Sequence, residues 1–415
     1  MSPDAEAAPL PGESELIYDW NTRTPQPQPA QVAFDDETLR DGIQSPSARD
    51  PEIEQKLRLL HLMADLGIDA VDLGLPGASP RQRTDVERLA REIAEQKLDI
   101  FPNCAARTVI ADIEPICAVA DEVGIAIETA CFIGSSPIRQ YTEDWDLDGM
   151  LRHTEEAVRY AVDRGMPVMF VTEDSTRAAP ETLRRLYTTA IEAGARRVCV
   201  SDTVGHVTPP GVRALIGFIR QVVEDTGEQV AIDWHGHEDR GLGVWNTLVA
   251  LEAGASRVHG TALGIGERCG NTPMDQLLAN CRLLGWIDND LSQLVEYCRV
   301  ASEAISVPIP ANYPVIGTDA FRTGTGVHAA AIIKARAKGD DWLADRIYSG
   351  VPAAMVGRRQ EIEVGPMSGT SNVEFRLRER GIAPDPDKVA AVLAAAKAAD
   401  HILDDDEIDA ALAGN

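Results

Sequence analysis

Eight times between residues 31 and 285 a short β-branched run is followed by an amphipathic stretch of helix length, and this alternation constrains the fold more than any other feature. The strand candidates are 31–36, 68–74, 98–103, 124–130, 167–171, 197–202, 229–235 and 256–262. Between them lie helix candidates such as EQKLRLLHLMADLG, LDGMLRHTEEAVRYAVDRG and PPGVRALIGFIRQVVEDTG, several ending in Gly where a helix C′ residue belongs. Eight β-then-α units of parallel type predict an α/β fold, a closed (β/α)₈ TIM barrel, which occupies roughly 250 residues. The alternative, an open doubly wound sheet, needs a glycine-rich phosphate turn after its first strand, and FDDETLRDG has none.

Outside 31–285 the pattern changes. Residues 1–30 are Pro-rich and poor in apolar residues, which predicts a flexible leader. Residues 286–384 include the Pro-rich connector VPIPANYPVIG and read as a smaller, mainly helical region. Residues 385–415 carry apolar positions at helical spacing and no strand pattern, so a short helical tail is expected and no regulatory domain. With 66 Asp+Glu against 39 Lys+Arg, the net charge of −27 repels phosphate backbones and anionic lipid heads, so neither nucleic acid nor a membrane surface is expected as a partner. Seven Cys form an odd set with no CxxC pair, unlike a disulfide framework. No apolar run reaches the roughly 18 residues of a membrane span, and the first residues lack a basic-then-apolar signal pattern. A reduced cytoplasmic protein is the expectation.

In such barrels the C-terminal ends of the strands face the active site. After the first strand comes Thr38-Leu39-Arg40-Asp41-Gly42, a cation beside a carboxylate. After the seventh comes His235-Gly236-His237, whose two imidazoles fall on one side because strand side chains alternate with period two. Taken alone, an HxH is more often two unrelated exposed histidines. With Asp41 it becomes a two-His, one-carboxylate set with open positions, suited to a divalent metal that also binds substrate. After the eighth strand, Gly264-Ile265-Gly266-Glu267-Arg268-Cys269-Gly270-Asn271 forms a loop whose glycines allow close backbone approach to a ligand.

The segments FDDETLRDGIQSPS, SDTVGHVTP, WHGHEDRGLGVWNTLVALEAGASRVHGTALGIGERCGNTP and DAFRTGTGVHAAA together resemble the DRE-TIM metallolyase superfamily. Within it they are most similar to the acetyl-CoA-dependent, Claisen-condensing branch of 2-isopropylmalate, homocitrate and citramalate synthases, over about residues 31–375. The resemblance implies that Asp41, His235, His237 and Asn271 bind a divalent metal, usually Mg²⁺ or Mn²⁺, although Zn²⁺ also suits the donors. It places Arg40 against the developing alkoxide, Thr203 on the carboxylate of a 2-oxo acid, and Glu173 as an acid/base-assisting carboxylate. It implies Gln44, Asp72 and Arg107 as further substrate contacts. Gly264, Gly266, Glu267 and Arg268 form the loop beside the thioester arm of acetyl-CoA. His328 matches the histidine that helps remove a methyl proton from acetyl-CoA, and Tyr348 its partner. The family delivers both from the neighbouring subunit, which implies a homodimer with 286–384 as an intersubunit lid.

Several residues depart from the family's pattern. Ile43 stands in place of Glu, Asp72 in place of a longer Glu, and Glu238 in place of Asn. Val171, Cys199 and Ser201 replace the Ser, Asn and Pro that isopropylmalate synthases direct at the oxo acid. These changes spare the metal chemistry and leave the oxo acid open. 2-Oxoisovalerate is the first expectation, with 2-oxoglutarate, pyruvate and oxaloacetate behind it. Two other readings compete. A lyase of the 3-hydroxy-3-methylglutaryl-CoA type needs a loop Cys in a Gly-Cys-Pro setting, which Cys269 lacks. A catalytically silent metabolite sensor is at odds with the complete metal and Arg set.

Overall fold

A computed structural model describes residues 16–22 and 27–414. Most of the expected leader, residues 1–15 and 23–26, lies outside the described residues. From residue 27 on, the described chain divides into two compact units, 27–309 and 310–414.

The first unit is the barrel. Its strands are β1 (Ala33–Asp36), β2 (Ala70–Asp72), β3 (Phe101–Arg107), β4 (Glu128–Gly134), β5 (Val168–Glu173), β6 (Arg197–Asp202), β7 (Ala231–Gly236) and β8 (Arg257–Gly260). Each runs parallel to the next, and β8 returns to β1 through the pairs Asp35↔His259 and Asp36↔Gly260. The sheet is therefore closed, as eight βα units require, and the open-sheet alternative fails. Alternation along β1 sends Asp35 inward, where Asn103 Nδ2 donates to it at 2.8 Å. Asp36 points outward and accepts from Tyr297 Oη on the helix Leu294–Ile305. Helices between the strands bury their apolar stripe on the barrel. Leu59, Leu60 and Met63 of Ile53–Asp65 are fully buried, each stabilising by roughly 1.5–3 kcal/mol. Gly124 and Gly227 end their helices with φ of +79° and +73°, left-handed backbone that a side chain would strain.

The lower interior of the barrel is charged. Arg257 lies 2.7 Å from Asp233 and 2.5 Å from Glu128, and Arg197 lies 2.6 Å from Asp233. Buried charges persist there because each has opposite partners.

The structural division falls at Ile309/Pro310, later than the expected 285/286. The reason is packing. Helix Leu294–Ile305 lies against helix Ile53–Asp65, Tyr297 reaches Asp36, and Arg49 N donates to Ile305 O at 2.9 Å.

The second unit is mainly helical. Its helices include Gly326–Ala337, Asp341–Arg346, Thr370–Glu379, Pro386–Ala398 and Asp405–Ala413, with a two-stranded parallel piece, β9 (Arg322–Thr323) and β10 (Glu361–Ile362). The tail does not stand apart at residue 385. Val389, Val392, Ala396 and Ile408 share one buried cluster with Val364, Val373 and Leu377. No helix among the described residues is long and apolar enough to cross a membrane.

Candidate active site

Backbone stitching at the C-terminal mouth of the barrel sets the site. Beyond β7, His237 bridges Asn271, Glu238 N donates to Gly270 O at 2.9 Å, and Thr272 N donates to Gly236 O at 2.9 Å. The loop after β8 is thereby tied to the end of β7, which brings Asn271 beside the two histidines. The loop also packs on itself. A Cβ on Gly266 would lie 2.1 Å from Asn271 Oδ1, and one on Gly270 would lie 1.9 Å from Gly264 O. These glycines are needed for close packing of the site loop.

His235 and His237 converge as their spacing predicts, with Nε2 atoms 3.0 Å apart. Asp41 Oδ2 lies 3.6 Å from the first and 3.8 Å from the second. Asn271 Nδ2 donates to that same oxygen at 2.5 Å. All four residues are buried, and His237 Nδ1 and Asn271 Oδ1 have no hydrogen-bond partner among the described residues. Two ligands at about 2.1 Å from one ion and at right angles sit about 3.0 Å apart, so the donor atoms fit a divalent ion, and Asp41, His235 and His237 group as a candidate metal set. Burial, with His235 beside it, pushes His237 down to about 4, so it is a neutral imidazole at physiological pH. Burial works against ionisation of Asp41, but Arg40 and His235 outweigh it and hold the carboxyl below its usual range.

Arg40 is clamped by three carboxylates: Nε to Asp72 at 2.7 Å, Nη2 to Glu37 at 2.8 Å and Nη1 to Asp41 at 3.0 Å. Of the five guanidinium N–H bonds, one on each Nη remains for a ligand. Burial pushes Asp72 up to about 7 in spite of Arg40. Glu173 is also raised, chiefly by burial, with Arg139 at 3.9 Å working the other way. Thr203 Oγ1 accepts from Asp174 N at 2.8 Å, which leaves its proton free to be donated.

These groups surround a cavity of about 220 Å³. Its polar lining includes Arg40, Asp41, Gln44, Asp72, Glu173, Thr203, His235, His237 and Glu267, all expected from the sequence. Its apolar wall is Leu75, Ala105, Ala130, Phe132, Met169 and Val171, with Cys199 and the hydroxyl-bearing Ser201 also in the lining. Among the described lining residues Arg40 is the only Arg or Lys.

Some expectations shift. Arg107 does not line this cavity. Asp112 takes its guanidinium in a two-pronged pair at 2.6 and 2.9 Å, and the side chain borders a neighbouring cavity of about 640 Å³ that shares Phe132 and Glu173 with the first. Arg268 is bound to Asp239 at 2.9 Å and to Thr203 O at 2.5 Å, so it braces the loop across to β6. His328 and Tyr348 lie in the second unit, both exposed and stacked on each other, with ring centroids 4.0 Å apart. Cys269 is an exposed free thiol. Glu37 and His259, which also line the cavity, were not singled out by sequence reasoning. The alternation Asp35–Glu37 along β1 was the available signal.

A family model described as HMGL-like matches residues 31–301. The homocitrate synthase AksA of Methanopyrus kandleri is 35% identical over 374 residues, 89% of this chain and 88% of the relative. A probable 2-isopropylmalate synthase of Ignicoccus hospitalis is 33% identical, over 88% of this chain and 86% of the relative. The 2-isopropylmalate synthase of Sulfolobus acidocaldarius is 31% identical, over 88% and 89%. Among solved structures, the hydroxymethylglutaryl-CoA lyase of Pseudomonas aeruginosa superposes with a TM-score of 0.56 at 20% identity, covering 66% of this chain and 93% of that one. That likeness speaks for the shared barrel alone. With the family model spanning the whole barrel and relatives at this identity along most of the chain, the protein belongs to the HMGL-like (DRE-TIM) family of enzymes.

Proposed function

We propose that the protein condenses acetyl-CoA with a small aliphatic 2-oxo acid and releases CoA, with 2-oxoisovalerate as the substrate and 2-isopropylmalate as the product. The observation that carries this reading is the cavity itself, whose lining combines a metal-type donor set with a group of apolar side chains. A second carboxylate, as in 2-oxoglutarate or oxaloacetate, would meet Leu75, Ala130 and Val171 or the carboxylates of Glu173 and Glu267; Arg40 is the only Arg or Lys among the described lining residues, and His259, also in the lining, is already held between Glu37 and Asp233. An unpaired charge buried there is costly. Similarity to a homocitrate synthase favours 2-oxoglutarate as the second reading.

Asp41, His235 and His237, with Asn271, would hold the divalent ion, Mg²⁺ or Mn²⁺ by the hardness of the substrate's oxygens. When bound, that ion supplies Lewis-acid polarisation of the oxo group. Arg40 places its two remaining N–H bonds where negative charge develops on the oxo oxygen, a favourable interaction that strengthens in the transition state. Thr203 donates to the oxo acid's carboxylate, and Glu173, whose carboxyl burial raises above its ordinary value, moves a proton at the reacting centre. His328 withdraws the methyl proton of acetyl-CoA, with Tyr348 stacked on its ring. We assign this pair to the site of a partner subunit, as the family's arrangement suggests, so the working enzyme is a homodimer. The apolar wall reads the substrate's side chain. The experiment is a free-thiol assay of CoA release from acetyl-CoA across a panel of oxo acids. 2-Oxoisovalerate should give the highest kcat/KM, and a clear preference for 2-oxoglutarate would overturn the substrate assignment.

A further inference from the structure

Glu37 belongs to none of the roles above, yet it touches three of the site's groups. It sits just past β1, 4% exposed. One carboxylate oxygen lies 2.7 Å from His235 Nδ1. The other lies 2.8 Å from Arg40 Nη2 and 3.1 Å from His259 Nδ1. His259 in turn places Nε2 3.0 Å from Asp233, whose other contacts are Arg257 and Arg197.

We propose that Glu37 is a positioning residue that fixes His235 in the Nδ1–H tautomer and aims its Nε2 lone pair at the metal locus, anchored from below by His259. Glu37 Oε2 is buried without a well-aligned hydrogen bond among the described residues, so its 2.7 Å approach to His235 Nδ1 is an electrostatic contact, favourable only if that nitrogen carries the proton. The other nitrogen is then left bare, and it is the one that faces His237 and Asp41. His237 has no equivalent support, because its Nδ1 is buried without a partner. One of the two histidines is thus preset and the other is free to adjust. His259 lies between two carboxylates and keeps Glu37 from being a lone buried anion beside the single Arg40. Burial opposes its charge, but Cys199, Glu37 and Asp233 raise it well above its ordinary value. Carboxylates behind ligating histidines typically change metal affinity by 10–100-fold when removed.

This inference rests on the metal reading of the site, and its test separates the two. In the metal-free wild-type protein with ¹⁵N-labelled histidine, NMR should show His235 as the Nδ1–H tautomer. Isothermal titration with Mn²⁺ should show Glu37→Gln binding 10–100-fold more weakly than wild type, at unchanged circular dichroism. An Nε2–H tautomer at His235 overturns the proposal even if Glu37→Gln fails to fold. A folded Glu37→Gln that binds Mn²⁺ within twofold of a binding wild type overturns it alone. A wild-type chain that binds no Mn²⁺ overturns the metal reading and this inference together.

Discussion

Replacing Gly266 with Ala tests the site's construction with one methyl group. Its Cβ would lie 2.1 Å from Asn271 Oδ1 and 3.0 Å from the carbon of that amide. Gly266 is not among the glycines with positive φ, so the substitution brings steric conflict without backbone strain. Asn271 is buried, and its Nδ2 holds Asp41 Oδ2. Restoring ordinary contact requires a separation of about 1 Å, and Asn271 takes the Asp41 carboxylate with it. Misplacement of catalytic groups by about 1 Å can cost on the order of 100-fold in rate. Overpacking of this kind costs about 1–3 kcal/mol of stability. The control is Gly124→Ala, where φ is +79° and nothing lies within 4 Å of the added Cβ. That change should cost about 1–2 kcal/mol through left-handed strain and leave the rate alone. The assay is CoA release at saturating Mn²⁺, with urea unfolding and Mn²⁺ titration alongside. Gly266→Ala with wild-type rate and Mn²⁺ affinity would refute the claim that this loop glycine exists to let Asn271 set Asp41.

Arg40→Lys keeps the charge but loses the planar fork that meets Glu37, Asp41 and Asp72, so it should lower kcat by about 10²–10³ and also lower the melting temperature; a loss under tenfold in steady-state assays would contradict its assigned role. Inactive His328→Ala chains mixed with inactive Asp41→Ala chains should regain part of the activity in verified mixed dimers, and none if each lid serves its own barrel. Burial pushes Asp36 up to about 6 from an ordinary 3.8. Its stabilising contribution is therefore complete below about pH 3.8 and lost as pH rises through about 6, leaving a cost of about 3 kcal/mol at pH 8. In urea unfolding, Asp36→Asn should gain on wild type between about pH 4 and pH 6.5 and hold that gain up to pH 8; parallel curves across the lower window would show that Asp36 does not titrate there.

The barrel was legible because its signal is collective. All eight strands fall where alternation with helices places them, and strand-end chemistry then picks out Arg40, Asp41, His235 and His237. Registers at β3 and β4 were less legible. The buried lead-ins at Ile100 and Ile127 look like strand, whereas the strands proper carry small or polar residues such as Ala105, Ala106, Glu128 and Thr129. Their composition answers to the barrel interior and the surrounding helices, which a local window does not see. The charged ladder of Glu128, Arg197, Asp233, Arg257 and His259 is illegible for the same reason, since its members are far apart in sequence. Arg107 was misplaced because Asp112, five residues on, captures it. The boundary after the barrel was missed because only tertiary packing shows that Leu294–Ile305 belongs to it.

Metal-dependent condensation with an aliphatic oxo acid is decided by free-thiol release from acetyl-CoA, measured with 2-oxoisovalerate, pyruvate, 2-oxoglutarate and oxaloacetate before and after exhaustive chelation. Thiol release should require an oxo acid, be fastest with 2-oxoisovalerate, disappear on chelation and return with Mn²⁺. Release that persists after chelation, or no release with any of the four acids, would contradict it.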